Sequence, residues 1–171
     1  MKLLFVADPL ARLKPRKDSS VAMMRAAHAR GHAVSACEAA HLYVRGGQVC
    51  VDADALDISP DEAWYRALGK RERLLTDFDA IVMRTDPPVD TDYLLATHLL
   101  GIAEAAGARV LNRPAALRDC NEKLAILDFP QFVAPTLVAA QAVEIEAFLI
   151  EHGDIIVKPL TEMGGSGIFR L

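Results

Sequence analysis

The residues best suited to chemistry lie near the end of the chain. Asp154-Ile155-Ile156-Val157-Lys158-Pro159 reads as a buried strand that delivers a lysine to its end. A loop carrying Gly164, Gly165, Ser166 and Gly167 follows, and Ile168 to Leu171 begins another strand. Lysine at a strand end meets phosphate oxygens as a point charge. Glycines let backbone N–H groups surround a phosphate without side-chain clashes. The spacing is neither a Walker A loop, since no Lys-Ser/Thr follows the glycines, nor the G-x-G-x-x-G dinucleotide fingerprint. The segment fits a nucleotide phosphate site, and it equally fits a plain hairpin loop with an exposed lysine. A second lysine, Lys123, follows Asn121-Glu122 on or entering a helix.

Upstream, polar residues gather at the expected ends of apolar strands. Asp79 to Met83 is a strand that ends at Arg84, followed by Thr85-Asp86-Pro87-Pro88. In open α/β sheets ligands collect at that carboxyl edge. Arg84 suits a carboxylate and Asp86 suits an amine, although an aspartate before proline is also an ordinary turn residue. Ser19 and Ser20 open a helix, where they can cap its first turn or help bind an anion.

The elements that must position these groups follow from apolar patterning. Leu3 to Ala7 is a continuous apolar run, as in a strand covered on both faces. A helix capped by Asp18, Ser19 or Ser20 runs to Arg30, with Val21, Met24 and His28 on one stripe and Met23 and Ala27 beside it. Ala33 to Cys37 is the next strand, which completes a βαβ start. Gly46-Gly47 flanked by Tyr43 to Val51 predicts a hairpin at the side of the main sheet. Residues 60–75 read as helical or irregular. A helix from Asp90 or Thr91 has Leu95, Leu99, Ile102 and Ala106 at helical spacing, and Ala108 to Leu111 is a strand. Residues 114–129 are helical in pattern, 136–139 form a strand and 144–152 a helix.

Composition narrows the function classes. The chain has 171 residues, 52% of them apolar and 25% charged, which suits a packed core rather than disorder. A net charge of −4 disfavours a strongly basic nucleic-acid binder. No apolar run is long enough to span a bilayer. Three cysteines, Cys37, Cys50 and Cys120, and five dispersed histidines show no metal-ligand spacing, and they point to a reduced, cytoplasmic setting. Cys120 and Trp64 read as packing residues.

Taken together, Arg118-Asp119-Cys120-Asn121-Glu122-Lys123, Asp154 to Leu160, Met163-Gly164-Gly165 and Ile168-Phe169-Arg170 resemble the ATP-grasp core of bacterial glutathione synthetases. Asp8-Pro9, Lys17-Asp18-Ser19-Ser20, Met83-Arg84, Asp86-Pro87-Pro88 with Asp90-Thr91, and Asn112 with Pro114 resemble their N-terminal domain. The resemblance implies an α/β fold: a Rossmann-like parallel-sheet domain over 1–120, then the start of an ATP-grasp lid subdomain over 121–171, cut short. It implies joining of γ-glutamylcysteine to glycine through an acyl phosphate, with ATP split to ADP and phosphate. Lys123, Lys158, Gly164, Gly165, Ser166 and Gly167 would bind ATP, and Arg84, Asp86, Ser19 and Ser20 would bind the dipeptide. Magnesium is expected on ligands from a C-terminal half absent from this chain, so this chain alone is expected to show no turnover. A homo-oligomer is expected, without nucleic acid or membrane as partner. Two alternatives stay open: another ATP-grasp carboxylate–amine ligase, or a non-catalytic folding or oligomerising fragment.

Overall fold

The structure is a computed structural model that describes residues 1–162 and 164–171; Met163, part of one motif above, lies outside the described residues. The chain divides into two compact units, one of residues 1–86 with 90–118 and one of 87–89 with 119–171.

The first unit is an α/β sheet built around the two apolar runs. Strand β1 (Lys2–Ala7) pairs in parallel with β2 (Ala33–Cys37) and with β6 (Ala80–Arg84), and β6 pairs in parallel with β7 (Val110–Leu111). Side chains alternate across the sheet, so each central strand feeds two cores. Leu4, Val6, Ile81 and Met83 pack on one face with Ala96, Leu100 and Ala103 of helix α2 (Thr91–Ala105). Phe5, Ala7, Val34 and Ala36 pack on the other face with Val21, Met24 and Ala27 of helix α1 (Ser19–Ala29). Both helices begin at an aspartate. Asp18 Oδ1 accepts from the Ser20 and Val21 N–H groups, and Asp90 Oδ1 accepts from Tyr93 N–H. Asp18 is therefore the α1 cap, and Ser19 and Ser20 are left free for other partners.

Several expectations are corrected. The hairpin of β3 (Leu42–Arg45) and β4 (Gln48–Ile58) does turn at Gly46-Gly47, but it is no side feature: β4 pairs antiparallel with β2 and extends the main sheet. Residues 60–75 contain strand β5 (Tyr65–Leu74), paired along β4. Nearly every β5 side chain is exposed, so no apolar pattern marked it. The free ladder of β4 and cross-strand ion pairs such as Arg66–Asp57 (2.7 Å) hold it instead. That arginine also holds the Asp57 carboxyl below its ordinary range.

On α2 the buried residues are Tyr93, Ala96, Thr97, Leu100 and Ala103, while Leu95, Ile102 and Ala106 of the expected stripe are exposed. The helix is apolar on most sides, so spacing alone did not select the inward face. On α1, Met23 is exposed too. Trp64 is buried, as a packing residue should be.

In the second unit, helix α3 (Pro114–Asp119), which starts in the first unit, stops well short of residue 129. Asn121 Oδ1 accepts from the N–H groups of Lys123 and Leu124, and this side-chain turn replaces the next helical turn. Short 3-10 turns follow at Ala125–Asp128 and Pro130–Phe132. Residues 136–139 form no strand. Cys120 is exposed, not packed. Helix α4 (Ala142–His152) ends at Gly153, which takes the left-handed conformation (φ 73°). Strand β8 (Ile156–Val157) then pairs antiparallel with β9 (Phe169–Arg170). An Arg170–Asp154 fork, at 2.9 and 2.7 Å, clips the open end of this pair. Among the described residues of this unit, Ile155 is the buried apolar side chain. No helix of the described residues is long and apolar enough to cross a membrane.

The choice of α2 face is testable by urea unfolding. Leu100→Ala is expected to lose about 2–5 kcal/mol, whereas Leu95→Ala is expected to stay within about 0.5 kcal/mol of the parent.

Candidate functional site

In the first unit, polar groups converge at the carboxyl ends of β1 and β6. By strand alternation Arg84 follows Val82 to the α1 face of the sheet. Its Nε donates to Ser20 Oγ (3.1 Å) and its Nη2 to Ser19 Oγ (2.7 Å). No carboxylate lies within ion-pair distance of Arg84 among the described residues, so two neutral hydroxyls orient a cation that retains its full charge. The N-terminal turn of α1, capped by Asp18, lies at the same place.

Asp8, at the exit of β1, accepts from the Asp86 backbone N–H through Oδ2 (3.1 Å). This bond ties the loop after β6 to the end of β1. Burial pushes the Asp86 carboxyl above its usual range, and the charges of Asp8 and Asp18 push it further, with Arg84 opposing. Tyr93 on α2 is raised by burial and by the Asp86 charge. Asn112, in the left-handed region at φ 58°, donates from Nδ2 to the Met83 carbonyl (2.8 Å) and so fixes the last residue before Arg84. The cluster has one guanidinium beside three carboxylates, which suits a ligand with both a carboxylate and an ammonium group.

Sequence reasoning named Arg84, Asp86, Ser19 and Ser20, and the structure gathers these four at one edge of the sheet. That reasoning quoted Asp8 and Asn112 among the motif residues but gave them no role at the site. Both follow an apolar strand run directly, which is the signal that could have found them.

In the second unit, Lys123 sits in the Asn121 turn and not on a helix. Its Nζ donates to the Glu162 carbonyl (2.5 Å) and pairs with Glu122 (2.9 Å). Asn121 Nδ2 also donates to the Leu160 carbonyl (3.1 Å), so the 121–124 turn is tied to the chain just before the glycine loop. Asn121 is a further residue that sequence reasoning left without a role. Lys158 follows β8 and is exposed, without a hydrogen-bond or ion-pair partner among the described residues.

Gly164, Gly165 and Gly167 have φ of 63°, 87° and 66°. A Cβ at Gly167 would stand 3.0 Å from Pro159 Cγ. Backbone N–H groups and an unpaired lysine at a glycine turn fit phosphate oxygens. Among the described residues no three His, Cys, Asp or Glu side chains converge as metal ligands.

Comparison with known proteins gives consistent matches. The family model "Prokaryotic glutathione synthetase, N-terminal domain" matches residues 1–118, and "Prokaryotic glutathione synthetase, ATP-grasp domain" matches residues 122–171. A glutathione synthetase of Neisseria meningitidis serogroup B is 49% identical over 176 residues, covering 100% of this chain and 55% of that protein. One from Ralstonia nicotianae is 49% identical over 172 residues, covering 100% of this chain and 53% of that protein. The chain thus spans about half the length of the curated relatives it matches. Among solved structures, the ATP-grasp ligase PsnB complexed with a phosphomimetic variant of its minimal precursor, Mg and ADP shares the fold. Its TM-score is 0.54 at 19% identity, over 99% of this chain and 57% of PsnB.

The raised Asp86 carboxyl has a consequence for stability. A carboxylate whose pKa is raised by folding disfavours the folded state once ionised. The effect is absent below the ordinary carboxylate pKa and complete above the raised one. Asp86→Asn should therefore unfold at higher urea than the parent at neutral pH. The gap should close as pH falls through the raised value toward the ordinary one; a gap independent of pH would contradict this.

Proposed function

Because the chain belongs to the prokaryotic glutathione synthetase family, we propose that the protein works as an ATP-dependent ligase, joining γ-glutamylcysteine to glycine. The observation that carries this reading is the Arg84–Ser19–Ser20 cluster beside Asp8 and Asp86. Arg84 takes a dipeptide carboxylate as a planar fork. Ser19 and Ser20 keep that fork oriented before the ligand arrives, which lowers the ordering cost of binding. Asp86 takes the dipeptide ammonium. Residues 1–120 act as the substrate domain, and residues 121–171 open the ATP-grasp lid subdomain.

Transfer of the γ-phosphoryl group of ATP to the dipeptide carboxylate gives ADP and an acyl phosphate; the glycine amine then attacks the acyl carbon, forming the amide bond and expelling phosphate. The protein's task is to place groups and to neutralise charge. Lys158 would hold phosphate oxygens of ATP, and Lys123 would join it from its tether at Glu162. Gly164, Gly165, Ser166 and Gly167 would close over the phosphates with backbone N–H groups and exclude water from the reactive carboxyl. The fit rests on Lys158, which has no partner among the described residues, and on the positive φ of three loop glycines. Magnesium would bridge the ATP phosphates, and in this reading its protein ligands come from the C-terminal half that the family resemblance implies. A cytoplasmic location and a homo-oligomeric state belong to the same reading.

The direct test offers γ-glutamylcysteine, glycine and ATP to the full-length protein and follows ADP release. No ADP above background, with turnover on another acid–amine pair, would replace this substrate assignment. Lys158→Ala is expected to weaken binding of a non-hydrolysable ATP analogue by about 1.5–3 kcal/mol, the scale of a charge-assisted hydrogen bond. An unchanged affinity in a calorimetric titration would make Lys158 an ordinary surface lysine.

A further inference from the structure

One half-buried side chain on α1 gathers two loops. Arg25 Nη1 donates to the Pro15 carbonyl (3.1 Å), Nε to the Ser59 carbonyl (3.1 Å) and Nη2 to the Asp61 carbonyl (2.7 Å). No carboxylate pairs with it among the described residues. Three bonds to backbone acceptors in two separate loops use the planar fork of a guanidinium for its geometry rather than for charge pairing.

The bond to Pro15 closes a ring. The Lys14 carbonyl accepts from the Lys17 and Asp18 N–H groups, and Asp18 caps α1. Ser19 and Ser20 then face Arg84, and α1 runs on to Arg25, which reaches back to Pro15. The segment bearing both serines is thus held from both of its ends. The other two bonds of Arg25 fasten the ring to the loop between β4 and β5. Ser59 N–H closes that loop on the Trp64 carbonyl (2.8 Å), and buried Trp64 anchors it in the core. An exposed Arg16–Glu62 pair (2.6 Å) links the same two loops beside Arg25.

We propose that Arg25 is a positioning residue for dipeptide binding: it locks residues 15–20 so that the Ser19 and Ser20 hydroxyls present the Arg84 fork. This rests on the reading of the Arg84 cluster as the dipeptide seat. Lysine cannot replace Arg25, because one ammonium on a flexible stem cannot span three divergent carbonyls.

The test titrates the full-length protein with γ-glutamylcysteine and, separately, with a non-hydrolysable ATP analogue. Arg25→Lys and Arg25→Ala should each raise the dipeptide Kd by about tenfold, the worth of one charge-assisted contact, and leave affinity for the ATP analogue unchanged. Hydrogen exchange at the Lys17 and Asp18 amides should quicken, while β1 and β6 amides stay protected. Free guanidinium ion should restore dipeptide affinity to Arg25→Ala, and failure to do so counts against the inference. A folded Arg25→Lys chain with parental dipeptide affinity overturns it, and this variant decides the matter if Arg25→Ala does not fold. Arg84→Ala separates the two claims. If Arg84→Ala abolishes binding and Arg25→Lys does not weaken it, only the role of Arg25 falls. If Arg84→Ala binds normally, or the parent chain binds no dipeptide, the seat itself is wrong.

Discussion

The central pair of parallel strands, β1 and β6, must be covered on both faces, and most of the first unit follows from that constraint. Leu4, Val6, Ile81 and Met83 require α2 on one side, and Phe5 and Ala7 require α1 on the other. Burying such side chains contributes about 1.5–3 kcal/mol each. With both faces apolar, polar groups find room at the strand ends. Asp8, Arg84 and Asp86 stand where β1 and β6 run out, and α1 brings Ser19 and Ser20 to them.

That arrangement explains how a guanidinium is kept ready. Burial against a carboxylate would neutralise Arg84, and full exposure would leave it mobile. Two neutral hydroxyls from a capped helix do neither. The cap itself matters here: because Asp18 satisfies the first N–H groups of α1, both serines are released to Arg84. The nearby carboxylates of Asp8 and Asp18 in turn raise Asp86, so the acidic side of the cluster stores unfavourable charge that an ammonium ligand would relieve.

The second unit works on another principle. It has a two-stranded sheet and one buried apolar side chain among its described residues, so side-chain tethers replace core packing. Asn121 joins its own turn to the Leu160 carbonyl, Lys123 reaches Glu162, and Arg170 clips Asp154. These bonds hold the chain on either side of the glycine turn, while the turn itself depends on positive φ.

Sequence alone determined the central apolar strands, the starts of α1 and α2 to within a residue or two, and the family, because strand runs, cap residues and ordered motifs are local signals. It also named Arg84, Asp86, Ser19 and Ser20, since each follows a strand or opens a helix. It could not give the inward face of α2, because a helix apolar on most sides has no single stripe. It missed β5, whose charged residues carry no burial pattern and whose strand exists only because β4 offers a free ladder. It placed Lys123 on or entering a helix, whereas Asn121 bonds the backbone two and three residues on and holds Lys123 in a turn. The roles of Asp8, Asn112 and Arg25 likewise came from tertiary structure alone. Each acts through a backbone group distant in sequence, and a backbone N–H or carbonyl has no residue type for a sequence to display.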